Sequence, residues 1–139
     1  MFDSIKSYAL LVSNETTKRD WGQSIILRED FTDDGVVFYR EKFLIFNPGA
    51  SIILESHSDY DEIWMPDSTL TYALELNDSK VVKHFAQKHE RIFISRDKKH
   101  KIINDNSYKL CIFEIQIGTI MNDDKIQYKK EDYGNRYEN

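Results

Sequence analysis

The sequence predicts an all-β sandwich or barrel. Three observations carry this. Apolar and polar residues alternate with a period of two, the alternating runs are short, and compact turn signals separate them. Up to nine such runs follow one another, and many short strands with brief connections close into a sandwich or a barrel. Gly22–Leu27 is the first strand. Thr32-Asp33-Asp34-Gly35 is a turn in which Gly35 can take a positive φ, and Val36–Phe46 is the long strand after it. Asn47-Pro48-Gly49 is a second turn, because Pro48 has no N–H to give to a ladder. Ser51–Asp59 is the next strand. Thr69–Leu76 alternates with Leu70, Tyr72, Leu74 and Leu76 on one face, and Asn77-Asp78 turns it into Val81–Ala86. Glu90–Ser95 and His100–Asn104 are shorter strands. Tyr108–Ile117 groups Cys111, Phe113, Ile115 and Ile117 against Glu114 and Gln116. Phe2–Val12 fits a strand or a short helix. The polar stretch Asp123–Asn139 reads as a surface tail packed back by Ile126, Tyr128 and Tyr133.

The 139 residues suit a single domain, with a core of about 18–118 and a tail of 119–139. A mean hydropathy of −0.59 and apolar runs of only a few residues exclude a multi-span membrane protein. The net charge of −5 argues against nucleic acid as a partner, since neutralising phosphates needs a basic face. A local basic pocket for a small phosphorylated ligand stays open. The single cysteine, Cys111, rules out an intrachain disulfide, and its apolar surroundings predict a buried small hydrophobe. Met1–Ser13 lacks a sustained apolar core, so a cytoplasmic protein with no membrane partner is expected. Trp21, Trp64, Phe43, Phe46, Tyr72 and Phe113 are expected to fill the interior. No Gly-rich phosphate loop, nucleophile elbow or CxxC pair is present.

The residues that can carry chemistry lie near the middle of the chain. Glu55, His57 and Asp59 share parity on one strand, so they present carboxylate, imidazole and carboxylate on a single face. Glu62 follows three residues later, and it joins that face if a bulge or turn near Tyr60-Asp61 shifts the phase. His100 opens a later strand. Two imidazoles with one or two carboxylates suit zinc, manganese or iron. Arg40 and Lys42 share parity on Val36–Phe46, and Lys98 and Lys99 flank His100, so all four are candidate cations for an anionic ligand. His84 and His89 fit solvated surface positions.

Four stretches, in order, resemble a known family. Lys18-Arg19-Asp20-Trp21-Gly22 looks like an R-P-W-G opening. Lys42 through Pro48-Gly49 to Leu54 looks like a strand pair joined by a P-G turn. His57 through Glu62 and Trp64 looks like an H-H-H-R-x-E-x-W motif. Asp123-Asp124, Ile126 and Glu131-Asp132-Tyr133-Gly134 look like a closing D-D-I…D-x-Y-G. The chain resembles the C-terminal cupin domain of type II mannose-6-phosphate isomerases, which is often fused to mannose-1-phosphate guanylyltransferase. The resemblance spans about Lys18 to Tyr133.

It implies a cupin, a jelly-roll-like double-stranded β-helix. It also implies a divalent metal, zinc first, with manganese, iron or cobalt as alternatives. The family's metal-binding glutamine, two histidines and glutamate fall on Glu55, His57, Asp59 and Glu62, and its late histidine falls on His100. Glu62 is then a ligand or the catalytic base, and Lys42, Arg40 and Tyr60 are the substrate contacts, with Tyr60 standing where the family has arginine. The expected reaction interconverts mannose 6-phosphate and fructose 6-phosphate. The alternatives are a cupin for another sugar phosphate or a nucleotide sugar, and a non-catalytic cupin. The expected partners are a small sugar phosphate and a second copy of the chain, paired through an edge strand.

Overall fold

The computed structural model describes residues 16–120 and the backbone of residues 15 and 126–128. Phe2–Val12 and Tyr133 lie outside the described residues. Eleven strands and no helix appear among those described. They are β1 (Glu15–Arg19), β2 (Gly22–Phe31), β3 (Val37–Phe46), β4 (Glu55–His57), β5 (Tyr60–Pro66), β6 (Leu70–Glu75), β7 (Val81–Ala86), β8 (Ile92–Ile94), β9 (His100–Ile103), β10 (Leu110–Ile120) and β11 (Ile126–Tyr128).

The strands form two antiparallel sheets. One has the order β1-β2-β3-β10-β5-β8 and the other β11-β4-β9-β6-β7. Among the described strands, only β1-β2, β2-β3 and β6-β7 are hairpins within a sheet; every other pair of consecutive strands crosses from one sheet to the other, which rolls the chain around a shared interior. The predicted turns form as expected. Gly35 donates its N–H to the Thr32 carbonyl at φ +84°, and Ala50 donates to Asn47 with Gly49 at φ +75°. The core at one end holds Trp21, Phe46, Trp64, Leu70, Ile102, Leu110 and Ile112, with Trp21 stacked on Phe46 at 4.4 Å. Fully buried Asn104 fastens this end, where its amide nitrogen reaches the carbonyls of Phe46, Asn47 and Tyr108 at 2.9–3.2 Å.

Two expectations are corrected. Ser51–Asp59 is not one strand. Ser51 makes an isolated bridge to Ile103, β4 covers only Glu55–His57, and the chain bends at Ser58-Asp59 before β5 begins in the other sheet. The cause is a crossing between sheets. The His57 and Asp59 carbonyls are turned out of a continuous ladder and are taken by the N–H groups of Asp97 and Thr119. Gly118 opposes the bend at φ +148°, and a Cβ there would stand 2.4 Å from the Asp59 carbonyl oxygen.

The second correction concerns which face of the large sheet points inward. Phe43 and Phe113 pack edge to face at 5.9 Å on its outer side, and Cys111, half-buried, lies on that side too. The inner side carries Lys42 and Leu44 from β3, Ile112, Glu114 and Gln116 from β10, and Tyr60, Glu62 and Trp64 from β5. Alternation places Phe43 and Phe113 together, but the polar side is the interior here, because this end of the barrel is a cavity.

Candidate metal centre

Three strands deliver the cavity's ionisable groups. β4 and β9 pair in antiparallel register at Glu55 and His100, which sets these two side by side. His57 shares the inner face with Glu55 two residues on. The bend at Ser58-Asp59 resets the phase, so β5 buries Tyr60, Glu62 and Trp64 in alternation. Glu62 thereby joins a face that unbroken alternation from Glu55 would have denied it.

The donor atoms converge. His57 Nε2 lies 2.7 Å from Glu62 Oε2 and 3.7 Å from Glu55 Oε1. His100 Nε2 lies 3.7 Å from Glu62 Oε2 and 3.9 Å from Glu55 Oε1. One donor atom each from Glu55, His57 and His100 falls within 4.8 Å of the other two. Donors around a zinc-sized ion with bonds of ~2.1 Å stand roughly 3–3.5 Å apart, so this spacing suits a cation at the centre. A further observation supports the fit. Glu62 Oε2 is buried, and the imidazole Nε2 atoms face it at 2.7 and 3.7 Å. With those nitrogens deprotonated, as metal ligands must be, the oxygen is left without a donor, a costly state that a cation relieves. His57, His100, Glu62 and Glu55 are the residues that would hold it.

The imidazoles are oriented from behind. His100 Nδ1 lies 2.8 Å from the Lys98 carbonyl, so it carries the proton and leaves Nε2 with a free lone pair. His57 Nδ1 lies 2.8 Å from the Tyr60 hydroxyl, and the two rings stack at 4.6 Å. Behind Glu62 the Trp64 indole N–H donates to Glu62 Oε1 at 2.7 Å and approaches Glu114 Oε2 at 3.3 Å. Gln116 donates to Glu114, and Arg40 reaches Gln116 while pairing with Glu29 at 2.6 Å.

Burial and mutual charge set the protonation of the cluster. Burial pushes Glu55 above its ordinary 4.5. Burial, reinforced by the Glu62 charge, pushes Glu114 well above that value. Burial also works against the Glu62 carboxylate, but His100, His57 and the hydrogen bond with Glu114 outweigh it and hold Glu62 far below the usual range. For His57, burial favours the neutral ring, and the Glu62 and Glu55 carboxylates override it, so its pKa rises above 6.5.

A pH dependence follows. The ion-free native state keeps protons on Glu55 and Glu114 above pH 4.5 and on His57 above pH 6.5, where the unfolded chain has released them. Its stability therefore falls as pH rises through those windows. Glu62 contributes in the opposite sense, and its stabilisation is lost only in strong acid. Thermal melts of chelator-treated protein are expected to show Tm declining from pH 5 to 8. Saturating zinc should reverse that slope and raise Tm by about 10 °C near neutrality, the effect of ~2.7 kcal/mol at a hundred times Kd. A zinc-independent melting profile would count against the site.

The cavity is also lined by Arg19, Trp21, Ser24, Lys42, Leu44, Tyr60, Glu114 and Gln116, and its volume is about 80 Å³. Of the residues singled out in the sequence, Glu55, His57, Glu62 and His100 come together, and Lys42 and Tyr60 face the same space. Asp59 sits in the bend outside the donor group and does not line the cavity. Arg40 is held by Glu29 and Gln116 rather than facing the cavity. Lys99 pairs with Glu75 at the surface. Exposed His89 and half-buried His84, which stacks on Tyr72, stand outside the donor group. Sequence reasoning missed Glu114, Gln116 and the role of the Trp64 N–H. The available signal was two polar residues within the most apolar strand, at the parity of Ile112.

A rolled pair of antiparallel sheets with a histidine- and carboxylate-lined interior defines a cupin. Residues 9–131 match the family described as mannose-6-phosphate isomerase C-terminal, and the chain belongs to that family. No curated protein matches it. Among solved structures it is similar to the capsular polysaccharide assembling protein CapF from Staphylococcus aureus, with TM-score 0.70, 13% identity, and coverage of 83% of this chain and 34% of that one. It is similar to an oxalate decarboxylase variant from B. subtilis, with TM-score 0.66, 8% identity, and coverage of 84% and 30%. It is also similar to an oxalate oxidase in complex with glycolate, with TM-score 0.57, 16% identity, and coverage of 65% and 45%. The chain thus spans about a third of the first two and under half of the third. At these identities the likeness is one of fold.

Proposed function

We propose that this cupin is a metal-dependent sugar-phosphate isomerase that interconverts mannose 6-phosphate and fructose 6-phosphate. The observation that carries the reading is the convergence of His57, His100, Glu62 and Glu55 beside Lys42 in one cavity, in a chain of the mannose-6-phosphate isomerase C-terminal family. A divalent cation in such a site polarises a carbonyl and its neighbouring hydroxyl and so acidifies the proton on the carbon between them.

The chain's own residues supply the rest. Isomerisation removes the proton from C2 and returns one at C1, while the hydroxyl proton at O2 is replaced by one at O1. A carboxylate within reach carries the carbon-bound proton. Glu62, pinned by Trp64 and facing both imidazoles, stays a ligand, and Glu55, with its side chain 14% exposed, is the one of the four donors that would give up the cation to carry the proton. Lys42 makes no ion pair of its own among the described contacts and is the cation for the phosphate.

The test is a coupled assay on mannose 6-phosphate with zinc, manganese or cobalt. Turnover should appear with at least one metal and vanish on chelation. Lys42→Ala should lower kcat/KM about 10–100-fold, the worth of one charge-assisted hydrogen bond. Absence of turnover with every metal in folded protein would end this reading.

A second reading has its own observation. Tyr60 stands where the family has arginine, and its hydroxyl is spent on His57, while Arg40 is spent on Glu29. This favours a cupin for another sugar phosphate or a nucleotide sugar. It would be seen as thermal stabilisation by such a ligand without mannose 6-phosphate turnover.

A further inference from the structure

We propose that Trp64 is a positioning residue for the metal centre: its indole N–H holds Glu62 Oε1 and so turns Glu62 Oε2 toward His57 and His100. The inference rests on the reading of Glu62 as a ligand. Trp64 is completely buried, and its single N–H donates to Glu62 Oε1 at 2.7 Å, a charge-assisted bond between two buried side chains. A carboxylate fixed at one oxygen has little freedom to rotate. The other oxygen faces the imidazoles, 2.7 Å from Nε2 of one and 3.7 Å from Nε2 of the other.

The indole is itself held from two sides. Its ring meets His100 edge to face at 5.3 Å and Tyr72 at 5.9 Å. The same side chain thus aims one donor by a hydrogen bond and braces another by contact. Glu114 Oε2, at 3.3 Å from the N–H, is the weaker second acceptor and is occupied by Gln116 through its other oxygen. Phenylalanine would keep most of the packing and lose the N–H. Loss of an outer partner of a metal ligand typically costs 10–100-fold in metal affinity.

The experiment is calorimetric titration of zinc into chelator-treated wild type, Trp64→Phe, Glu62→Gln and the double variant. Trp64→Phe is expected to bind zinc 10–100-fold more weakly than wild type. In the Glu62→Gln background it should cause no further loss, because no carboxylate remains to be aimed. Equal affinity of wild type and Trp64→Phe overturns the proposal. An equal loss in both backgrounds also overturns it, since that is what a merely structural role produces. Wild type that takes up no zinc overturns the metal reading and this one together, and it does so before any variant is compared. Should Trp64→Phe fail to fold, benzothienylalanine introduced at position 64 preserves the ring shape and replaces the N–H with sulfur. It is expected to show the same 10–100-fold loss, and unchanged affinity overturns the proposal.

Discussion

Replacing His100 with alanine is expected to weaken zinc binding by two to three orders of magnitude. Structural zinc sites with four protein ligands bind with about 10–16 kcal/mol, or roughly 3–4 kcal/mol per ligand, and each 1.4 kcal/mol is tenfold. His100 earns a full share. It is 1% exposed, its Nδ1 proton is taken by the Lys98 carbonyl, and its Nε2 faces Glu62 and Glu55. His57→Ala should behave alike. His84→Ala is the control, because His84 stacks on Tyr72 and takes no part in the donor group. The check is stoichiometry and affinity by competition with a chromophoric chelator. Retention of wild-type affinity in His100→Ala would remove the site from this cavity.

The second large effect is on folding. Gly118→Ala is expected to destabilise the protein by about 3 kcal/mol and lower Tm by about 10 °C or more. The new Cβ would lie 2.4 Å from the Asp59 carbonyl oxygen and 2.7 Å from Tyr60 Cα, so backbone must move, and φ is +148° besides. The backbone that would move is the crossing that places Tyr60 and Glu62, so metal affinity should fall with stability. Gly49→Ala is the comparison. Its φ is also positive, at +75°, but nothing lies within 4 Å of the added carbon, so about 1 kcal/mol is expected. Equal melting temperatures for the two variants would show that the close approach is not tight.

Much of the architecture was legible because turns and periodicity are local. Val81–Ala86 matches its strand from end to end, and the turns at Gly35 and Gly49 fall where their φ requirements place them. What was lost depended on which side of a sheet faces inward. Strand Tyr60–Pro66 alternates well, but its inner set is Tyr60, Glu62, Trp64 and Pro66, with Ile63 and Met65 outside. A reader who equates apolar with buried passes over it. The same inversion misplaced Phe43 and Phe113. Short β1 and β11 carry too few residues for a period to show, and β11 pairs with β4 far away in sequence.

The candidate site was partly legible for a related reason. His57 and His100 are rare residue types at strand positions, so they stand out. Glu62 required knowing that the chain changes sheets between Asp59 and Tyr60, which only tertiary pairing shows. Glu114 and Gln116 enter the cavity through the register of β10 against β5, where Gln116 faces Glu62 and Glu114 faces Trp64, a pairing about fifty residues distant in sequence.

The four donors are divided between the layers: Glu55, His57 and His100 stand on the five-stranded sheet and Glu62 on the six-stranded one. A cation gripped by all four would act as a rivet through both walls of the shell. Metal supply would then govern mechanical cohesion as well as chemistry. Backbone amides of β4, β5 and β9 would exchange with solvent as one unit once the rivet is in place, and separately without it.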